Sequence, residues 1–475
     1  MTDSPARWSV AKITEQVGSG ATTARSVCDS VFLRIEQRRS LNAFVTTTQS
    51  EARRAASAID TQVGSRAPLG PLAGVPVAIK DNICVNDVRC TCASNMLRDW
   101  IAPYDAAAVE RLRKAGAVIV GKTNLDEFGM GSSTENSTFG PSHNPVDPSR
   151  TAGGSSGGSA VAVADGQCAV ALGTDTGGSV RLPAAFCGVV GLKPSYGAVS
   201  RWGVVAFGSS LDQIGVFGRS VDDVRIVFDV IRGRDERDAT SVILPSDPTT
   251  PDRLRIGMPT EYFGDGLDPQ IASAVRSVAD RLVQFGHQVV DVSLPNSKHS
   301  VAAYYVIATA EASSNLARYD GVRYGHRAQS DDVIAMYEKT RAEGFGVEVK
   351  RRILLGTYVL SAGYYDAYYG RAQRVRALIA ADFDTAFQRV DCLLTPTAPT
   401  CAFKLGERSD DPLAMYLTDI YTTSVNLAGL PALSVPCGRS DEGLPIGAQL
   451  IGPAFHESRL LSLGGFIMDT TGGRN

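Results

Sequence analysis

The chain has 475 residues, 44% hydrophobic and 20% charged, the profile of a globular protein with enough length to bury a large core. Its 47 basic and 50 acidic residues give a net charge of −3, so no global basic footprint points to nucleic acid; any RNA would be gripped by a partner. No run approaches the roughly eighteen apolar residues of a spanning helix, Met1 to Val10 lacks the apolar stretch of a secretory signal, and nine scattered cysteines fit a reducing, cytoplasmic setting better than a disulfide framework.

In chain order, Ser9 to about Ala58 reads as helical, with apolar positions such as Val27, Val31, Leu33 and Ile35 among charged residues, and the Ala-rich stretch Glu51 to Ile59 as a second helix; a turn-rich passage follows from Pro68. Val75 to Asn82 then gives a short apolar strand that runs into Lys80. Asp105 is placed to cap a helix reaching Lys114 and closed by Gly116. The next letters, Gly116 to Thr123, match the phosphate-loop pattern G-x-x-x-x-G-K-T. A real phosphate loop follows a strand and opens a helix, whereas here a helix precedes and Ala117 to Val120 is itself a β-branched strand, so the match is read as strand. Cys90 and Cys92 form the one close pair, but no second pair or nearby histidine completes a zinc set, and no metal is expected.

Asn124 to Arg150 is loop-rich and leads into Thr151 to Ser179, where two Gly/Ser clusters enclose a buried-looking helix and strand from Ala160 to Leu172. Gly/Pro-punctuated sheet and loop follow to Phe217, then a charged, proline-bearing stretch to Arg253. Leu254 to Met258 resumes a strand, Asp268 to Phe285 an amphipathic helix, and His287 to Val292 a strand. From Ala302 to Val390 the pattern is helical, including one long helix from Val349 to Val375. Strands return at Leu393 to Pro396, Ala432 to Pro436 and Ile446 to Ile451. This alternation argues for an α/β protein. A single domain over 1–475 is expected, with N-terminal helices in 1–60, a catalytic core in 61–232, a linker-like loop in 233–253 and a helical subregion in 302–390.

Serines in N–H-lined glycine turns are candidate nucleophiles, and a nucleophile needs a base and an oxyanion hole. Gly153 to Gly157 spells the G-x-S-x-G elbow, but a Pro/Ser-rich loop precedes it where a strand is required, and of only five histidines the late ones lack the surroundings of a triad member. A neutral lysine can serve instead. Its ordinary pKa of about 10.4 must fall by roughly three units, at a cost of about 4 kcal/mol to the fold.

At this point the sequence resembles the amidase signature enzymes. The match runs from Gly153-Gly154-Ser155-Ser156-Gly157-Gly158-Ser159 through Gly173 to Arg181 and Pro183 to Pro194, with Val77 to Asn82 upstream. The resemblance implies the family's fold, a central mixed sheet flanked by helices with a helical subregion in the second half. It also implies a Ser-Ser-Lys triad, with Ser179 as nucleophile, Ser155 as bridging serine and Lys80 as base, and an oxyanion hole from the backbone of Thr176, Gly177, Gly178 and Ser179. Phe128 to Ser137, Tyr196 to Gly215, Val349 to Tyr358, Gly363 to Tyr369 and Met415 to Pro436 look most like the glutaminase subunits of tRNA-dependent amidotransferases.

That branch implies that Arg352 and Asp419 hold the α-carboxylate and α-amine of glutamine, a fork of donors for a carboxylate and an acid for an ammonium. It implies no cofactor in this chain, ATP and Mg²⁺ on a partner, and two further subunits in a cytoplasmic heterotrimer that meets tRNA mainly through a partner. Ammonia from glutamine would amidate Glu-tRNA(Gln) or Asp-tRNA(Asn). The alternative is a stand-alone amidase for another small amide with the same triad. After about Ala454 the resemblance weakens, and the glycine-rich run from Gly464 is expected to make a poor helix.

Overall fold

The computed structural model describes residues 4–245 and 251–471. Its strands are Phe44–Thr47 (β1), Pro76–Lys80 (β2), Val118–Thr123 (β3), Val170–Asp175 (β4), Val190–Lys193 (β5), Gln213–Gly218 (β6), Arg255–Pro259 (β7), Gln288–Val292 (β8), Cys392–Pro396 (β9), Ala432–Arg439 (β10) and Pro445–Ile451 (β11). They form one mixed sheet in the order β1-β3-β2-β4-β6-β5-β10-β11-β9-β7-β8. Helices cover it, as expected for α/β, and the central strands β2 to β6 are buried at every residue, which explains their near-continuous Val, Ile, Leu and Ala runs.

Two features of the sheet position the site. β2 runs parallel to β4, with Ile79 opposite Leu172, so Lys80 and Asp175 leave the sheet at the same edge. Chain emerging from β4 turns at once through Thr176 to Ser179 into the helix Arg181–Cys187, while the helix Gly157–Ala164 starts beside it. Residues past the carboxyl ends of parallel strands are where open α/β sheets assemble their sites.

The phosphate-loop lookalike is strand β3. Its Lys122 is fully buried and pairs with Asp81 at 2.8 Å, so the lysine belongs to the core. Several expectations need correction. The N-terminal helical stretch is three helices, Val10–Gly18, Ala24–Gln37 and Gln49–Gly64, interrupted by edge strand β1, and Leu33 faces solvent at 60% exposure. Asp105 does not cap its helix, which begins at Ala107; its carboxylate instead accepts the Asn86 N–H at 2.7 Å. Val349 to Val375 is not one helix: Val347–Val359 ends, Gly363 takes a φ of +86°, and Arg371–Phe387 starts afresh.

The linker-like loop has neither helix nor strand in residues 233–245, yet it is tied to the core, with Asp235 accepting from Ser200 at 2.8 Å and Asp238 from the Arg201 N–H at 2.7 Å. Residues 246–250 of that stretch lie outside the described residues. The closing helix does form, as Glu457–Thr471, and the tail beyond it, 472–475, again lies outside the described residues. Leu460, Leu461, Leu463, Ile467 and Met468 are buried along it. Gly464 is part of the reason it packs: a Cβ there would stand 2.5 Å from Leu433 Cδ2, so the bare backbone lets the helix lie close on β10.

Candidate active site

Lys80, at the end of β2, is wholly buried. Its Nζ lies 2.8 Å from Ser155 Oγ, 2.8 Å from Ser156 Oγ and 2.9 Å from Thr174 Oγ1. Burial pushes its pKa down to about 7, against the opposing pull of the carboxylates of Asp126, Asp175 and Asp212. Ser156 gives its own proton to Thr174 O at 3.1 Å, and Thr174 Oγ1 already accepts from Asn82 Nδ2 at 3.0 Å. Ser156 therefore accepts from the amine, Thr174 offers its carbonyl at 3.3 Å and its hydroxyl as further partners, and the Ser155 hydroxyl is within reach of the lone pair of the neutral amine.

Ser155 follows a cis Gly154–Ser155 peptide in the turn before the helix Gly157–Ala164. No strand precedes this turn, so it is not a nucleophile elbow. Ser179 lies alongside, its carbonyl accepting the Ser156 N–H at 3.2 Å. Ser155 is thus in contact with Lys80 and adjacent to the Ser179 segment; the Ser155 and Ser179 hydroxyls share no direct hydrogen bond among the described residues.

The turn from β4 to Ser179 is built on Asp175. Burial pushes its carboxyl pKa up, but Arg181 overcomes this and holds it well below the usual range, with contacts at 3.0 Å to Oδ2 and 2.9 Å to Oδ1. Asp175 also accepts the Gly178 N–H at 2.9 Å and the Val180 N–H at 3.1 Å. The Gly178 amide of the expected oxyanion hole donates to Asp175, whereas the N–H groups of Thr176, Gly177 and Ser179 have no hydrogen-bond partner among the described residues. Gly178 serves the turn by its conformation, a φ of +146° that L residues rarely adopt, and a Cβ there would meet Thr422 Oγ1 at 2.3 Å.

Asp419 and Arg352 reach the same region from the second half of the chain. Asp419 Oδ2 accepts from Ser132 at 2.5 Å, whereas buried Oδ1 has no hydrogen-bond partner among the described residues and lies where a Cβ on Gly178 would meet it at 2.8 Å. Burial pushes the Asp419 carboxyl up to about 7. A buried, unpaired carboxylate oxygen beside the nucleophile turn is the acceptor an ammonium group needs.

Arg352, on the helix Val347–Val359, is 2% exposed and gives Nε–H to Glu348 at 2.8 Å. Its guanidinium lies 5.1 Å from the Tyr305 ring centroid and 5.5 Å from that of Tyr416, two rings stacked at 3.9 Å. Glu348 also accepts from Tyr416 Oη at 2.9 Å, which fixes the box.

Sequence reasoning missed Ser132, Glu348, Tyr416 and Tyr304. Tyr304 lies over the nucleophile turn, and a Cβ on Gly177 would stand 2.6 Å from its Cζ. A tyrosine pair on a helix with no polar face gives no signal of its own; Glu348 four residues before Arg352 is the one pairing that helical spacing offers.

The chain is 56% identical over 457 residues to the glutamyl-tRNA(Gln) amidotransferase A-subunit of Synechococcus sp. (strain RCC307), covering 94% of this chain and 93% of the relative. It is 55% identical over 467 residues to the protein of the same name from Carboxydothermus hydrogenoformans, covering 96% and 95%. Among solved structures, the corresponding glutamyl-tRNA(Gln) amidotransferase protein from Thermotoga maritima superposes with a TM-score of 0.81 at 39% identity, over 98% of this chain and 95% of that one. A bacterial aryl acylamidase described as an amidase signature enzyme superposes with a TM-score of 0.86 at 26% identity, over 99% and 98%. With the amidase family model matching residues 27–461, a span that takes in the Lys80 strand, both serine turns and the Arg352 and Asp419 segments, the chain belongs to the amidase signature family.

Proposed function

We propose that this chain is the glutaminase subunit of a tRNA-dependent amidotransferase. The observation that carries the chemistry is the fully buried Lys80 amine 2.8 Å from the Ser155 hydroxyl, in the turn that lies against Ser179. Near-full-length identity to the amidotransferase subunits carries the choice of substrate over a stand-alone amidase.

Glutamine binds with its α-carboxylate at the Arg352 guanidinium and its α-ammonium at Asp419 Oδ1. Neutral Lys80 accepts the Ser155 proton as Ser155 takes that of Ser179, and Ser179 Oγ attacks the side-chain carboxamide carbon. The oxyanion faces the N–H groups of Thr176, Gly177 and Ser179, donors already fixed before reaction, so no reorganisation opposes charge development. Collapse breaks the C–N bond; the relayed proton passes to the leaving nitrogen, and ammonia departs, leaving a γ-glutamyl ester on Ser179. Water, deprotonated through the same relay, cleaves the ester to glutamate and returns the proton to Ser179.

Ammonia passes to a partner subunit that holds ATP and Mg²⁺ and the misacylated tRNA, in a cytoplasmic complex with two other subunits. Among the described residues no helix is long and apolar enough to cross a membrane. Glutamine hydrolysis by Ser179→Ala tests the assignment: a loss of several orders of magnitude is expected, and activity within a few-fold of wild type refutes it.

A further inference from the structure

The segment 126–136 reads as loop in sequence, but two of its three acidic residues, the adjacent Asp126 and Glu127, are buried. Asp126 is fully buried, and its carboxylate accepts the Thr134 N–H at 2.8 Å and the Asn136 N–H at 3.1 Å, closing the loop on itself. Its own N–H donates to the Ser155 carbonyl at 3.2 Å. A Cβ on Gly154 would come within 2.1 Å of Asp126 Oδ2, so the carboxylate fits only against bare backbone there. Thr134 Oγ1 adds further stitches, donating to Gly153 O at 2.8 Å and accepting the Gly157 N–H at 3.0 Å. The same loop carries Ser132, whose hydroxyl holds Asp419 at 2.5 Å.

Glu127 faces the other way. It is 3% exposed and accepts from the Ser94 hydroxyl and from the Gly346 N–H at 2.8 Å. Gly346 is the residue before the helix Val347–Val359, which carries Arg352. One short segment therefore touches the relay serine, the Asp419 acceptor and the start of the Arg352 helix.

We propose that Asp126 and Glu127 are a positioning pair for the amide-hydrolysing site: Asp126 sets Ser155 against Lys80 and, through Ser132, orients Asp419, while Glu127 sets the helix that delivers Arg352. The inference rests on the glutaminase reading for its assay and on the hydrogen bonds for its geometry. Asp126 has an electrostatic consequence that a mere loop-closing residue lacks. The groups acting on Lys80 are Asp126, Asp175, Asp212 and Cys92, and Asp126 opposes the effect of burial most strongly; Asp126 in turn faces Lys80 and Glu135. Removing its charge disfavours the Lys80 ammonium, so the neutral base persists to lower pH.

The full chain, with any subunits that copurify, is compared as wild type, Asp126→Asn and Glu127→Gln on glutamine across pH. Asp126→Asn is expected to lower kcat by about tenfold or more and to move the Lys80 step of the acid limb down by roughly half a unit or more, away from the Asp419 step, so that the limb falls less steeply just below pH 7. A fall in kcat with the limb unmoved, or wild-type behaviour, overturns the role of Asp126. Glu127→Gln is expected to raise KM about fivefold with kcat within about twofold; equal effects on both, or neither, overturn the role of Glu127. Should Asp126→Asn not fold, Thr134→Val cuts the tie of the loop to the Gly153 carbonyl and Gly157 N–H while leaving the Asp126 charge and its backbone bonds: an about tenfold or greater loss of kcat with the limb in place supports positioning of Ser155 by the loop that Asp126 closes, and an unchanged kcat overturns it. If the wild type hydrolyses no glutamine, the glutaminase reading fails on its own. The same rates and limbs are then read from sulfonylation of Ser179 by phenylmethylsulfonyl fluoride, in which Oγ bonds to sulfur, fluoride leaves and the hydroxyl proton goes to the relay; it needs no glutamine.

Discussion

Replacing Lys80 by methionine should abolish catalysis and, at the same time, relieve the fold of a pH-dependent burden. Lys80 falls from 10.5 to about 7 on folding because burial strips its hydration. The unfolded chain therefore binds more protons than the folded one between about pH 7 and 10.5, and stability rises with pH through that window; the cost is complete below 7 and gone above 10.5. A shift of about 3.5 units at about 1.36 kcal/mol each makes the cost roughly 4 kcal/mol at pH 7 and about 2 kcal/mol at pH 9.

Methionine also forfeits the bonds to Ser155, Ser156 and Thr174, each worth about 1 kcal/mol, but those losses do not change with pH. The change with pH in the stability difference between variant and wild type thus isolates the amine, at about 2 kcal/mol. For 475 residues the unfolding entropy is roughly 1 kcal/mol/K, so scanning calorimetry should find the Tm advantage of Lys80→Met smaller by about 2 °C at pH 9 than at pH 7. A difference that stays constant between those pH values would show that Lys80 is not held neutral, and would refute the argument for it as base.

Glutamine turnover should show an acid limb near pH 7, because Lys80 must be neutral and Asp419, pushed up by burial to about 7, must be ionised to hold an ammonium. Measured log kcat/KM should approach a slope of two below that pH, against a slope of one if only one of the groups matters. Arg181→Lys leaves Asp175 buried with half its pairing, so about 3 kcal/mol or more of stability and the set of the oxyanion turn should go together, read as a lower Tm with little residual hydrolysis. Gly464→Ala puts a methyl 2.5 Å from Leu433 Cδ2 and should cost about 1–3 kcal/mol, seen as a Tm drop of about 1–3 °C with kcat unchanged.

The elements readable from sequence were those whose local pattern and tertiary environment agree. β2 and β4 are apolar runs ending at turn signals, and they are buried on both faces, so the strand into Lys80 and the turn into Ser179 stood out. The phosphate-loop letters were rejected on element order, and buried Lys122 bears that out. β1 was missed because four residues between two helices carry too little pattern; it exists by pairing with β3. The closing helix was misjudged from glycine propensity, which five buried apolar side chains override. At the site, residue types were legible but the distribution of hydrogen bonds was not: that Asp175 takes the Gly178 amide, or that Asp126 and Glu127 turn inward, follows from long-range packing that no local spacing encodes.

The central claim is that Ser179 carries the γ-glutamyl group during turnover. Rapid acid quenching of wild-type protein with glutamine, followed by mass analysis of its peptides, tests this directly. The peptide containing Ser179 should gain one γ-glutamyl group, and the gain should vanish in both Ser179→Ala and Lys80→Met. An adduct on Ser155, or glutamate released with no adduct in the wild type while Ser179→Ala remains active, would contradict it.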